Sequence, residues 1–439
     1  MPSWNEKSAL DDMRCARAWV EIDLNLLADN VRQIKSLLPA KTALMSVVKA
    51  DAYGHGAVDV AKTVLGAGAT WLGVATVLEG IELRQAEIEA PILVFGAIYD
   101  PVEIKAIAQW NLQPTIVSPA QARLFSETLE ELDCIETGHR LKTENNTSRE
   151  QRPKLPVHLM IDTGMSRLGF SWQRSVELAR SVQQLPHLEA VGIYSHLATA
   201  DSPDLTTMRL QQTRFEEAIA DLTKANLCPP QRHLANSAAT LIDPALHYDM
   251  VRVGLSTYGL YPAPHLRAKA ALQPVLAVKA RITQTKEIAA GEGVSYSHQF
   301  VAPKPMRIAV VGIGYADGVP RILSGQMKVA IANQLVRQLG AITMDQIMLD
   351  ISTLKSAQAG DIVTLLGASN LSASNLGASK NQQLSAEHWA ELAATISWEI
   401  LCGFKQRLPR IILTQTPATP ISIPASISAP LVEKRTAQD

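Results

Sequence analysis

One rhythm constrains this chain more than any other feature. Between Trp19 and Leu260 short apolar runs alternate with amphipathic stretches. Eight runs read as strands: Ala43–Val48, Trp71–Ala75, Ile92–Phe95, Pro114–Val117, Val157–Ile161, Ala190–His196, Arg232–Ala235 and Met250–Gly254. Helix-like stretches lie between them, among them Asn25–Leu38, Ala57–Ala67, Leu78–Glu87, Pro119–Leu132, Arg174–Gln184 and Thr206–Ala225. Strands alternating with helices predict βα units on a parallel sheet. Eight such units in about 240 residues match the size of a (β/α)8 TIM-type barrel.

Beyond Leu272 the pattern changes. Apolar runs recur at Val275–Ile282, Arg307–Val311, Lys328–Ile331, Ile347–Ile351 and Ile362–Leu366, with turn residues and few helical stretches between them. This predicts a mostly-β C-terminal domain. The expected organisation is an N-terminal extension over 1–17, a barrel over 18–270, a β-rich domain over 271–413 and a Pro-rich tail over 414–439. A polar insertion is expected at 138–154, Ser369–Gln383 reads as a loop, and Ala386–Ile400 has helical periodicity.

Composition narrows the function classes. Lys+Arg 41 against Asp+Glu 42 is nearly neutral, which argues against an electrostatic nucleic-acid partner. No apolar run is long enough to span a membrane, and the N-terminus lacks the apolar core of a secretory signal. The four cysteines (Cys15, Cys134, Cys228, Cys402) are widely spaced with no CxxC pair. That argues against a zinc cluster or disulfide framework and fits the cytoplasm.

The chemistry concentrates at strand ends. Val47-Val48-Lys49-Ala50-Asp51-Ala52-Tyr53-Gly54-His55-Gly56 places a lysine where an apolar run meets a glycine-rich turn. Partial burial lowers an ammonium pKa and yields a nucleophilic amine, able to condense with a carbonyl. A surface lysine that happens to follow a strand has the same local pattern. Four further features fall at the same barrel mouth, where barrel enzymes hold their active sites. They are Arg167 after the fifth strand, His196 at the end of the sixth, Asn236-Ser237 after the seventh, and Arg252 with Gly254 on the eighth. Each has a bland alternative: a helix cap, a satisfied core histidine, an ion-pair partner. Their shared location favours one site. A Schiff-base lysine beside a phosphate cup suggests pyridoxal 5'-phosphate. An arginine at the ring nitrogen can only donate, which favours simple proton exchange over deeper rearrangement.

Taken together, these blocks resemble alanine racemases of the fold-type III pyridoxal-phosphate class. The likeness covers Trp19 to Arg410 and rests on VVKADAYGHG (47–56), DTGMSRLGF (162–170), SHLATAD (195–201), HLANSAA (233–239), VRVGLSTYGLYP (251–262), GVSYSHQF (293–300), GYADGVPR (314–321) and GAITMDQIMLD (340–350). The resemblance implies that Lys49 holds the cofactor and serves as one catalytic base. Tyr296 of a partner subunit is the other, on the opposite face of the substrate, in a homodimer. Inversion needs two such bases. Tyr53, Ser237, Gly254 and Leu255 are implied around the phosphate, Asn236 and Trp398 among the cofactor-binding residues, Arg252 at the ring nitrogen, and His196 against the tyrosine. Arg167 is implied at the cofactor phenolate and substrate carboxylate, with Met344, Asp345 and Tyr315 at the substrate entrance. No metal is implied. The activity so implied is interconversion of L- and D-alanine, supplying D-alanine for peptidoglycan.

Two positions depart from that family's pattern. Many relatives carry a carbamylated lysine two residues before the DTGM aspartate; here it is Met160. Where they have a phosphate-contacting tyrosine, this chain has Trp398, in Ile396-Ser397-Trp398-Glu399. A serine or broad-specificity racemase and a pyridoxal-phosphate-binding protein without turnover are the competing expectations, and Tyr296 in a second domain argues against the latter. Arg252 disfavours a decarboxylase.

Overall fold

The computed structural model describes residues 17–140, 153–332, 334–367 and 383–413, and of 134–140 the backbone alone. The expected N-terminal extension, the Ser/Asn-rich loop and the tail fall outside the described residues, apart from Arg17 and Gln383. Of the expected insertion only the flanks are described.

The first described element, β1 (Ala18–Asp23), stays out of the barrel. Eight strands then pair in parallel: β2 (Ala43–Val47), β3 (Trp71–Val74), β4 (Ile92–Ala97), β5 (Gln113–Ile116), β6 (Leu155–Asp162), β8 (Leu188–Tyr194), β9 (Gln231–His233) and β10 (Met250–Val253). A two-residue β7 (Phe170–Ser171) adds to the rim of β6. β10 pairs back onto β2, and two backbone bonds close the seam to β9: Asp249 N to Arg232 O at 3.0 Å and Arg252 N to Ala235 O at 2.9 Å. Parallel strands covered on both faces need continuous apolar runs. This is why the sequence rhythm and the barrel coincide.

Helices cover the barrel: α1 (Leu24–Ser36), α2 (Ala57–Gly66), α3 (Val77–Gln85), α4 (Pro101–Gln109), α5 (Pro119–Arg140), α6 (Ser175–Gln183), α7 (Thr206–Lys224) and the short α8 (Ser237–Ile242). Their starts are set by local chemistry. Asp23 accepts from the first N–H groups of α1, Thr76 and Glu79 form a capping box on α3, and Asp100 with Pro101 opens α4. Inside the barrel, Met45, Trp71, Leu93, Met160, Tyr194 and Met250 pack as one apolar plug. His158, His233 and Arg252 are buried beside it.

The second domain is antiparallel. β11 (Leu276–Ile288) is long enough to pair with three partners, and β12 (Gly293–Val294) and β13 (Phe300–Val301) form a small ribbon. β14 (Met306–Val311), β15 (Lys328–Ile331), β16 (Gln334–Leu339), β17 (Ile347–Asp350) and β18 (Ile362–Leu366) complete a ring that closes through β11. α9 (Ala386–Ala393) and α10 (Ser397–Gly403) follow, then β19 (Arg410–Leu413). β1 lies between β11 and β19 in this sheet. The sequence reading assigned no strand to Ala18–Asp23; its partners are supplied from the far end of the chain.

Candidate active site

A cavity of about 440 Å3 opens at the C-terminal ends of the barrel strands. Lys49, Tyr53, Arg167, His196, Asn236, Ser237, Arg252, Gly254, Leu255 and Trp398 all line it. Ten residues named from the sequence are thus brought together from six separate segments of the chain.

Lys49 sits at the exit of β2 and is half-buried. Burial pulls its ammonium pKa below the usual lysine range, with Arg167 adding to the effect and Glu79 opposing it. The backbone after it is unusual. Ala50, Asp51, Ala52 and Tyr53 have φ of 54°, 51°, 52° and 55°, a full left-handed turn built without glycine. Such residues cost roughly 1–2 kcal/mol each against the right-handed form. Several polar groups of the turn are held by neighbours. Val48 O accepts from Ala52 N, and Asp51 Oδ1 accepts from Ala57 N at 2.7 Å. The His55 ring bonds Tyr53 O at 3.0 Å, and Arg410 Nε donates to Gly54 O at 3.1 Å. A Cβ at position 54 would lie 2.8 Å from Leu401 O, so α10 packs directly on this turn.

Across the mouth, Asn236 caps α8 by accepting from Ala239 N at 3.0 Å. Ser237 Oγ accepts from Gly254 N at 3.1 Å. The N–H groups of Ser237, Ala238 and Leu255 find no acceptor among the described residues. Free N–H groups converging beside a helix start form an anion cup. A Cβ at Gly254 would stand 2.4 Å from the Tyr53 hydroxyl. Glycine keeps the cup open there.

Arg252 is 4% exposed and has no carboxylate partner among the described residues. It donates to the carbonyls of His233 (2.9 Å), Ser195 (2.7 Å) and Leu234 (3.2 Å), and its guanidinium lies 5.0 Å from the centre of the Tyr194 ring. Burial brings its pKa down to about 10, which still leaves it cationic at neutral pH. Arginine only donates, so the nitrogens facing it must accept. One is His196 Nδ1 at 3.4 Å and another is His233 Nδ1 at 3.2 Å. The proton of each ring then resides on Nε2. From His233 the chain of bonds continues to His158 at 3.0 Å and on to Gln113 at 3.0 Å. Burial holds the pKa of His196 and of His158 down to about 3, so both are neutral donors and acceptors.

Arg167 is exposed and makes no hydrogen bond or ion pair among the described residues. Its loop is fixed by Asp162, which accepts from the N–H groups of Gly164, Met165 and Ser166. Met160 lines the cavity as part of the apolar plug and offers Arg167 no anion. Trp398, on α10, forms part of the opposite wall beside Ile396.

Four sequence-named residues are not in this cavity. Tyr296 (69% exposed), Met344 (52%) and Tyr315 (39%) project from the second domain, and the exposed Asp345 pairs with Arg407 at 2.8 Å. The sequence reading did not name Phe95, Tyr194 and Asp201 as site residues, though all three line the cavity. Phe95 and Tyr194 occupy the C-terminal stretches of β4 and β8, and that position alone was a signal.

Two family models cover this architecture. Residues 22–262 match "Alanine racemase, N-terminal domain" and 275–412 match "Alanine racemase, C-terminal domain". The chain belongs to the alanine racemase family. It is 58% identical to alanine racemase from a Nostoc species over 90% of this chain and 95% of that protein. Its identity to the alanine racemase of a Synechocystis species is 55%, over 90% of this chain and 99% of that one. The crystal structure of alanine racemase from Streptomyces lavendulae superposes with a TM-score of 0.78 at 34% identity, covering 91% of this chain and 98% of that one. As a member of the alanine racemase family, the protein is an amino-acid isomerase, and the barrel-plus-β-domain fold is the family's. Among the described residues no helix is long and apolar enough to cross a membrane, and no cluster of ligating side chains fits a metal.

Proposed function

We propose that the protein interconverts L- and D-alanine with pyridoxal 5'-phosphate held covalently at the Lys49 amine, and that the active unit is a homodimer. The observation that carries this reading is the composition of one cavity: an amine of lowered pKa, an anion cup and a buried arginine that bonds carbonyls and ring nitrogens. The cup fits a phosphate through Ser237, Gly254, Leu255 and Tyr53. Arg252 fits the ring nitrogen, since it can donate but not give up its proton. The cofactor, when bound, supplies the electron sink that makes an α-proton removable.

The chain's own groups do the rest. Lys49 moves the proton on one face of the α-carbon. Tyr296 of the partner subunit moves it on the other, which accounts for a tyrosine standing exposed on a single chain. His196, fixed by Arg252 with its proton on Nε2, has a donor left for the phenolate oxygen. Arg167 receives the substrate carboxylate, and Trp398, Tyr315, Met344 and Asp345 narrow the approach. The D-alanine formed would serve peptidoglycan.

The test is incubation of the cofactor-loaded protein with a panel of L-amino acids in heavy water, followed by chiral analysis. D-alanine with deuterium at the α-carbon is the expected product. Equal turnover of serine or larger residues would replace this reading with a broad racemase, and no exchange on any amino acid would end it.

A further inference from the structure

The left-handed turn after Lys49 needs a restraint beside the lysine, and one carboxylate supplies it. Glu79 Oε1 accepts from Ala50 N at 2.7 Å. Its second oxygen, Oε2, accepts from Ala75 N at 2.7 Å and Thr76 N at 3.1 Å. Glu79 N in turn donates to Thr76 Oγ1 at 3.3 Å. One side chain therefore joins the start of α3 to the backbone next to Lys49, 29 residues earlier in the chain.

A capping box works with glutamate or glutamine, because one acceptor oxygen is enough. The arrangement here uses both oxygens at once. A glutamine could cap α3 but would turn its NH2 toward the Ala50 N–H, donor against donor. The requirement for two acceptors therefore exceeds what helix capping asks. Glu79 also acts on the Lys49 ammonium, opposing burial and Arg167. It does not line the cavity.

We infer that Glu79 is a positioning residue for Lys49: it fixes the strained turn that aims the amine, while touching neither substrate nor cofactor. This rests on the reading in which Lys49 holds the cofactor and moves a proton.

The test compares cofactor-loaded wild type with Glu79→Gln, and with Asp100→Ala, which removes the cap of the neighbouring α4 without reaching the turn. Melting temperature, racemisation kinetics and the visible absorbance of bound cofactor are measured on each. Glu79→Gln retains a capping side chain, so its melting temperature stays near wild type. Its kcat falls by about 10²-fold with KM changed less than about threefold, the signature of a misplaced group rather than a lost binding contact. The visible band shifts as well. Adding Ala50→Gly to Glu79→Gln recovers about tenfold of the lost kcat, because glycine enters positive φ without the Cβ clash. Asp100→Ala lowers the melting temperature and leaves kinetics and spectrum alone.

Wild-type kinetics and spectrum in Glu79→Gln would overturn the inference. Failure of both Glu79→Gln and Glu79→Asp to fold would overturn it too, by making the carboxylate a requirement of the fold. Lys49→Ala, measured alongside, separates the two readings. If it keeps the visible band, the assignment of Lys49 fails. If it loses the band while Glu79→Gln behaves as wild type, only the role of Glu79 fails.

Discussion

At the scale of single residues, the site is shaped as much by what is missing as by what is present. Gly254 lacks the carbon that would collide with the Tyr53 hydroxyl. Gly254→Ala should weaken cofactor retention about tenfold, or ~1.4 kcal/mol, as measured by equilibrium dialysis; unchanged retention would show that Tyr53 can swing aside. The buried histidines make a second expectation. His158 and His196 are pushed down to about 3 and His55 to about 4, in each case mainly by burial. An unfolded histidine titrates near 6.5. Between about pH 6.5 and 4 the unfolded chain therefore binds protons that the folded chain refuses, and stability falls as pH falls through that window. It is fully present above it. Each such histidine adds a slope of up to ~1.4 kcal/mol per pH unit. In His158→Gln the urea midpoint should fall less steeply over this range, by about one proton's share. A slope identical to wild type would mean that His158 protonates in the folded state.

At the scale of elements, β1 shows how a strand outside the domain it precedes is fastened. Lys279 on β11 is 4% exposed, and its ammonium lies 2.6 Å from Glu21 on β1. Glu21→Gln should leave that charge buried without a counter-ion and cost about 3–5 kcal/mol in a denaturant titration. The double substitution Glu21→Leu, Lys279→Met should be close to neutral; a loss as large as that of Glu21→Gln would refute the desolvation argument. The same element shows where the sequence stops being legible. The barrel strands could be read because burial on both faces leaves continuous apolar runs, as at Ala43–Val48. β16 was not read, because Gln334, Arg337 and the buried Gln338 break its apolar pattern. The turn after Lys49 carries no sign of its hand, since Ala-Asp-Ala-Tyr suits an ordinary helix. Polar residues at strand ends announced the cavity. Glu79 and Arg410 did not, because each acts through a backbone carbonyl or N–H remote in the chain, 356 residues away for Arg410.

At the scale of the whole molecule, the placement of Tyr296 bears on the proposed dimer. The cavity is built by the barrel and closed on one side by α10, yet the tyrosine is 69% exposed on the second domain. In the proposed dimer each complete site draws Lys49 from one chain and Tyr296 from the other. Lys49→Ala should abolish racemisation, and Tyr296→Phe should slow α-deuterium exchange on L-alanine far more than on D-alanine. Neither homodimer then has a working site. Unfolding and refolding the two variants together, at equal amounts, gives mixed dimers as about half of the population. Each mixed dimer has one site with both bases intact and one with neither. Racemisation should therefore return to about a quarter of the wild-type rate per chain, the share set by random pairing of two subunits around a two-fold axis. A site completed within one chain cannot behave this way: every chain in the mixture lacks one base. Silence in the mixture, with refolded wild type recovering its activity under the same conditions, would place both groups on a single chain or remove one from the chemistry.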